Sequence, residues 1–149
     1  MADNHRTVEN GECVFCDIVA GRTPAVKVGE SGDALAFLTH GPIRPGHTLV
    51  IPKRHAVELN DATPAEMTSV LGLAARIARL QRTNLESQGE TLFQASGWEG
   101  EQSVFHLHLH VVPRQAGDGL DLTGWWAERM TKPPRAELDA IGDRLRGTP

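Results

Sequence analysis

The stretch Ser103-Val-Phe-His-Leu-His-Leu-His-Val-Val112, stopped by Pro113, decides how the rest of the chain is read. Successive side chains on a β-strand point to opposite faces. The strict alternation therefore predicts a strand with His106, His108 and His110 on one face and Phe105, Leu107, Leu109 and Val111 on the other. Same-face neighbours on a strand stand about 6.5–7 Å apart, so the imidazoles form a row that can share one ligand or divide two tasks. A strand that buries its apolar face needs nothing from three histidines on its open face. Two chemistries fit the row. Neutral imidazole is a common metal ligand. An unprotonated ring nitrogen is also a nucleophile that can displace a leaving group at phosphorus and hold a covalent intermediate. A neighbouring histidine, titrating near working pH, can then hand a proton to the departing atom.

Upstream of this strand, Thr91–Ala95 reads as another strand, joined to it by the glycine-bearing loop Ser96–Gln102. The clearest helix precedes both. Thr63 is its N-cap, Pro64 suits its first position and Glu66 completes a capping box. Met67, Val70, Leu71, Ala74, Ile77 and Ala78 recur at helical spacing as one buried stripe that should fade before Gly89. Earlier still, Thr23–Ser31, Asp33–Leu38 and Thr48–Ile51 are strand candidates, the last two separated by a Pro/Gly loop over residues 39–46. Downstream come a turn at Gly117–Gly119, the pair Trp125-Trp126 and a short amphipathic helix over residues 135–145. The expected fold is α+β: an antiparallel sheet of about five strands, one long helix and a short C-terminal helix. Residues 1–11 read as a flexible tail, and 12–149 as a single domain with a C-terminal extension from about 120.

The 149 residues suffice for one domain with a real core, and 40% hydrophobic with 23% charged residues is ordinary for a soluble globular chain. A net charge of -4 argues against a general polyanion binder and hence against bulk nucleic acid as partner. No apolar run is long enough to span a membrane, and the polar first residues lack a signal-peptide core, so a cytoplasmic location is expected. The two cysteines, Cys13 and Cys16, then suit a metal or redox role better than a structural disulfide.

Three segments together resemble the histidine-triad (HIT) superfamily of nucleotide hydrolases and transferases. They are Cys-Val-Phe-Cys-Asp-Ile-Val-Ala-Gly at 13–21, Gly-His-Thr-Leu-Val-Ile-Pro-Lys-Arg-His at 46–55 and Gln-Ser-Val-Phe-His-Leu-His-Leu-His-Val-Val-Pro-Arg at 102–114, in the family's order. The resemblance implies a HIT-like fold and a nucleotide hydrolase or transferase acting at an α-phosphate, on a dinucleoside polyphosphate or a nucleoside phosphoramidate. It makes His108 the nucleophile, with His110 at the phosphate or leaving group and His47 supporting the site. Ser103 and Gln102 would lie beside the phosphate oxygens. Val14, Phe15, Ile18, Phe37 and Leu49 would line a nucleoside pocket, although ordinary core explains each of them singly. Cys13, Cys16, His55 and His106 would hold a structural zinc, as in bacterial members. A homodimer is expected on the same ground.

The chain departs from the family pattern at three places. Thr39 stands where an aspartate usually grips the ribose, and His40 follows it where an aliphatic residue is usual. Ala95 replaces a phosphate-contacting amide, and Glu101 stands where glycine is common. These departures keep open two alternatives: a zinc-containing nucleotide-binding module without turnover, and a hydrolase of a non-standard phosphorylated metabolite.

Overall fold

A computed structural model describes residues 13–147; the expected N-terminal tail lies outside them. The chain divides into two compact units, one running to Ala116 and one beginning at Gly117. The first unit is an antiparallel five-stranded sheet with the order β1-β2-β3-β5-β4. Its strands are β1 (Lys27–Ser31), β2 (Ala34–Leu38), β3 (Thr48–Pro52), β4 (Gly89–Phe93) and β5 (Leu109–Arg114). The short helix α1 (Val14–Val19) precedes β1, and the long helix α2 (Pro64–Leu85) connects β3 to β4.

Strand alternation explains why this sheet needs cover on both sides. Ala34, Ala36, Val50, Leu109 and Val111 join Val70, Leu73, Ala74 and Ile77 of α2 in one core cluster. The intervening residues Leu35, Phe37, Leu49 and Ile51 join Cys13, Phe15 and Ile18 from the α1 segment in another. The α2 stripe is turned slightly from the expected one: Leu73 is buried, whereas Leu71 is 52% exposed. Gly29 accommodates the helix, since a Cβ there would come within 3.2 Å of the Leu73 side chain.

The capping box forms as the sequence predicts: Glu66 N–H donates to Thr63 Oγ1 at 3.2 Å, and Thr63 N–H donates to the Glu66 carboxylate at 2.8 Å. Glu66 also receives two hydrogen bonds from Arg54, at 2.7 and 2.9 Å. The Arg54 guanidinium holds the Glu66 carboxyl down at about 2. The start of α2 is thus tied to the loop that carries His55.

The sequence pattern misplaced several boundaries. β1 begins at Lys27 rather than Thr23, and β4 runs from Gly89 to Phe93 rather than from Thr91 to Ala95. Only Leu109 onward joins the ladder as β5; residues 103–106 form bends instead. Leu107 N–H accordingly donates to the carbonyl of Ala56, a loop residue, at 2.7 Å. His106 and His108 therefore enter the sheet from an irregular segment, and His108 is only 3% exposed rather than on an open face. Helix α1 was not legible as a helix: its six residues are too few to display a period.

The second unit holds α3 (Leu122–Ala127) and α4 (Arg135–Arg146). α4 falls where amphipathic spacing predicts it. α3 contains the tryptophan pair, with the Arg129 guanidinium 4.5 Å from the Trp125 ring centre. No helix among the described residues is long and apolar enough to cross a membrane.

Candidate active site and metal cluster

Helix α1 explains the Cys-x-x-Cys spacing. Cys13 is its N-cap, and its Sγ accepts the Cys16 N–H at 3.4 Å, which brings both sulfurs to one end of the helix. The His106 Nδ1 lies 3.3 Å from Cys13 Sγ and 3.6 Å from Cys16 Sγ, and His55 Nδ1 lies 3.3 Å from Cys16 Sγ. All four ligand atoms lie within 4.8 Å of one another. A tetrahedral ion with metal–sulfur bonds of about 2.3 Å and metal–nitrogen bonds of about 2.0–2.1 Å would set sulfur and nitrogen about 3.6 Å apart, so the spacing fits such an ion. His106 Nε2 donates to the Pro52 carbonyl at 2.8 Å, which fixes the tautomer and leaves the Nδ1 lone pair facing the sulfurs. Burial, and then the adjoining Cys13, push the metal-free Cys16 thiol up to about 11. A cation between the sulfurs would reverse that preference by stabilising thiolate. The four residues can therefore hold a metal ion.

Three further histidines, His47, His108 and His110, have different partners. His108 Nδ1 donates to the His106 carbonyl at 2.8 Å, so its Nε2 carries the lone pair. Ile43 N–H donates to His47 Nδ1 at 3.1 Å, and an amide can only donate there, so a neutral His47 carries its proton on Nε2. That proton points at His110 Nδ1, 2.9 Å away, which puts the His110 proton on Nε2. Burial lowers the pKa of His47 and of His108, and takes His110 down to about 3, so all three rings are neutral at neutral pH. The His108 and His110 ring centres are 5.0 Å apart. The arrangement sets an unprotonated ring nitrogen beside a ring that carries its proton on Nε2, a pairing that can serve attack on phosphorus.

Phe15 stands edge-on to His108, with ring centres 5.4 Å apart, and edge-on to Phe37. Phe15, Ile18, Phe37 and Leu49 are buried in the α1-side core, with Val14 packed against it. Ser103 is half-buried. The Gln102 amide is fully occupied by backbone: its oxygen accepts Gly97 N–H at 2.8 Å, and its nitrogen donates to the Val57 and Val104 carbonyls at 2.6 and 3.0 Å. It shapes the loop before the histidines. In that loop Glu101 adopts φ 63°, a left-handed conformation in which a side chain is strained and glycine is not. Thr39 Oγ1 accepts Gly41 N–H at 3.3 Å, closing a local turn. His40 is exposed.

The sequence pattern does not single out Phe93, whose ring is stacked on His110. Its place in the middle of the strand candidate Thr91–Ala95 says nothing about which residue lies opposite.

A family model described as the HIT domain matches residues 20–117. The chain belongs to the histidine-triad family. An uncharacterised HIT-like protein of Mycobacterium tuberculosis is 42% identical over 110 residues, covering 74% of this chain and 76% of that protein. The adenosine 5′-monophosphoramidase of Schizosaccharomyces pombe is 30% identical over 133 residues, covering 89% of this chain and 95% of that enzyme. Among solved structures, a zinc-bound histidine-triad family protein of Mycobacterium smegmatis superposes with a TM-score of 0.70 at 38% identity, covering 87% of this chain and 96% of that one. The antiparallel sheet and long helix are thus the HIT fold, and the cysteine–histidine cluster is compatible with a zinc ion such as the mycobacterial protein binds.

Proposed function

We propose that this HIT protein is a nucleotide hydrolase or transferase that works at an α-phosphate through a covalent intermediate on His108. One observation carries the reading: the His106 carbonyl holds the His108 Nδ1 proton at 2.8 Å, leaving the lone pair on Nε2, which has no hydrogen-bond partner among the described residues. Nε2 attacks phosphorus, a nitrogen–phosphorus bond forms, and the bond to the leaving atom breaks with its electron pair going to that atom. An anionic phosphate beside His110 favours a second proton on that ring, taken from solvent, and the imidazolium passes its Nε2 proton to the leaving atom. Water then attacks the same phosphorus: an oxygen–phosphorus bond forms, the bond to His108 Nε2 breaks with its electron pair returning to that nitrogen, and His110 takes up the water's proton. Nucleoside monophosphate is released and His110 returns its extra proton to solvent, so both rings are neutral again; an alcohol or amine in place of water makes the step a transfer.

The substrate class is a nucleoside phosphoramidate or a dinucleoside polyphosphate, the former supported by the relative named as a monophosphoramidase. Ser103 serves the phosphate oxygens, and Gln102 supports them by bracing the loop. Phe15, Ile18, Phe37, Leu49 and Val14 form the apolar wall on the nucleoside side, with Thr39 at its ribose end. Zinc, held by Cys13, Cys16, His55 and His106, would supply a closed structural cross-link. A homodimer is supported by apolar side chains left exposed on edge strand β4 and helix α2, Leu92 and Leu71 among them. A cytoplasmic location suits the reduced cysteine pair.

A binding module without turnover is the second reading, favoured by Ala95 and by a Thr39 hydroxyl already used in a turn. Intact-mass analysis after incubation with nucleotides and phosphoramidates separates the two. The enzyme reading expects a nucleotidyl adduct that disappears in His108→Ala; binding with neither adduct nor product would overturn it.

A further inference from the structure

Phe93 is the last residue of edge strand β4 and lies directly opposite His110 in the β4–β5 ladder. The two rings are stacked, with centres 4.0 Å apart and planes 10° from parallel. Within the single chain Phe93 is 40% exposed and belongs to neither core cluster, so its contact with His110 is not part of the packed core. His110 is confined from two directions. His47 Nε2 holds its Nδ1 at 2.9 Å, and Phe93 covers one face of its ring. Rotation of the imidazole about its outer bond would cost both contacts at once. What remains is a ring fixed in plane with its Nε2–H pointing away from His47.

We infer that Phe93 is a positioning residue for His110 and thereby sets how well the protein handles substrates whose leaving atom must be protonated. The inference rests on the proposed α-phosphate chemistry and extends it. A leaving group such as p-nitrophenolate departs unprotonated and asks little of His110. An alkylamine or alkoxide needs the proton in the transition state, so it is sensitive to ring orientation. A leucine at this position would keep an apolar residue but lose the flat stacking surface, which is worth roughly a five- to tenfold change in rate.

The test compares two substrates of one nucleoside monophosphate, a p-nitrophenyl ester and an alkyl phosphoramidate, in five proteins: parent, Phe93→Leu, Phe93→Trp, His110→Ala and the Phe93→Leu/His110→Ala double variant. Phe93→Leu is expected to lower kcat for the phosphoramidate about five- to tenfold while the nitrophenyl ester stays within about twofold, and Phe93→Trp to restore phosphoramidate turnover toward the parent value. In the His110→Ala background the leucine substitution should add nothing further. Equal slowing of both substrates, or a full additional loss in the double variant, overturns the inference. Imidazole NMR of the parent protein adds a readout independent of turnover. Stacking demands upfield-shifted His110 ring protons that move downfield in Phe93→Leu, and unshifted protons in the parent overturn it. A parent protein that turns over neither substrate and forms no adduct overturns the functional reading, and this inference with it.

Discussion

His106 and His108 stand two residues apart, yet their rings are tied in opposite ways. His106 gives its Nε2 proton to the Pro52 carbonyl and turns Nδ1 toward two sulfurs. His108 gives its Nδ1 proton to the His106 carbonyl, and its Nε2 has no hydrogen-bond partner among the described residues. One backbone carbonyl thus joins the side of the segment that faces the sulfurs to the side proposed to react. The difference between the candidate ligand and the proposed nucleophile lies not in the residue type but in which ring nitrogen the backbone has already claimed.

The sharpest break in this comparison is His108→Ala. It should lower kcat by at least about 1000-fold while metal content stays that of the parent, measured by steady-state turnover and elemental analysis of the same preparation. Equal activity would remove the covalent mechanism. The converse substitution, Cys13→Ala, should release the metal and lower the unfolding free energy by about 3 kcal/mol or more in denaturant titration. Full metal retention by that variant would show that the cluster is not the site.

Two further variants probe the substrate end. Thr39→Asp should raise kcat/KM for ribonucleotides relative to their 2′,3′-dideoxy analogues by roughly ten- to a hundredfold, the worth of a charged hydrogen bond of about 1.5–3 kcal/mol. A natural protein that already discriminates a thousandfold would mean that another residue holds the ribose. At Glu101, a glycine should relieve the left-handed backbone and stabilise the chain by on the order of 1 kcal/mol, read as a higher denaturation midpoint. No gain would mean that the carboxylate has a compensating partner.

The reactive side should also show in acid. Burial holds the His47 pKa below 6.5 and that of His110 at about 3, so the unfolded chain takes up protons that the folded one refuses. Stability should therefore fall as pH drops below 6.5, and the His110 part of the loss should be complete near 3. Denaturant midpoints across that range should decline less steeply in His110→Asn. An unchanged slope would place the titrating group elsewhere.

Much of this molecule is legible in the order of its residues. The capping box Thr63–Glu66 and the apolar period of α2 are local interactions, decided within a few residues, and they form where the sequence puts them. The alternation that singles out His106, His108 and His110, together with the Cys-x-x-Cys pair, is equally plain. Other features depend on contacts between distant segments. The entry to β5 is bent because Leu107 bonds to the Ala56 carbonyl, a partner far back in the chain that no local pattern announces. His108 is buried because α1 brings Phe15 against it, and six residues of helix leave no period to read. Residue types and spacings alone determined which side chains could do chemistry. Strand register and backbone carbonyls decided which ring nitrogen of each histidine is free and that Phe93 faces His110, because hydrogen-bond partners are set by which segments meet in space and not by their order along the chain.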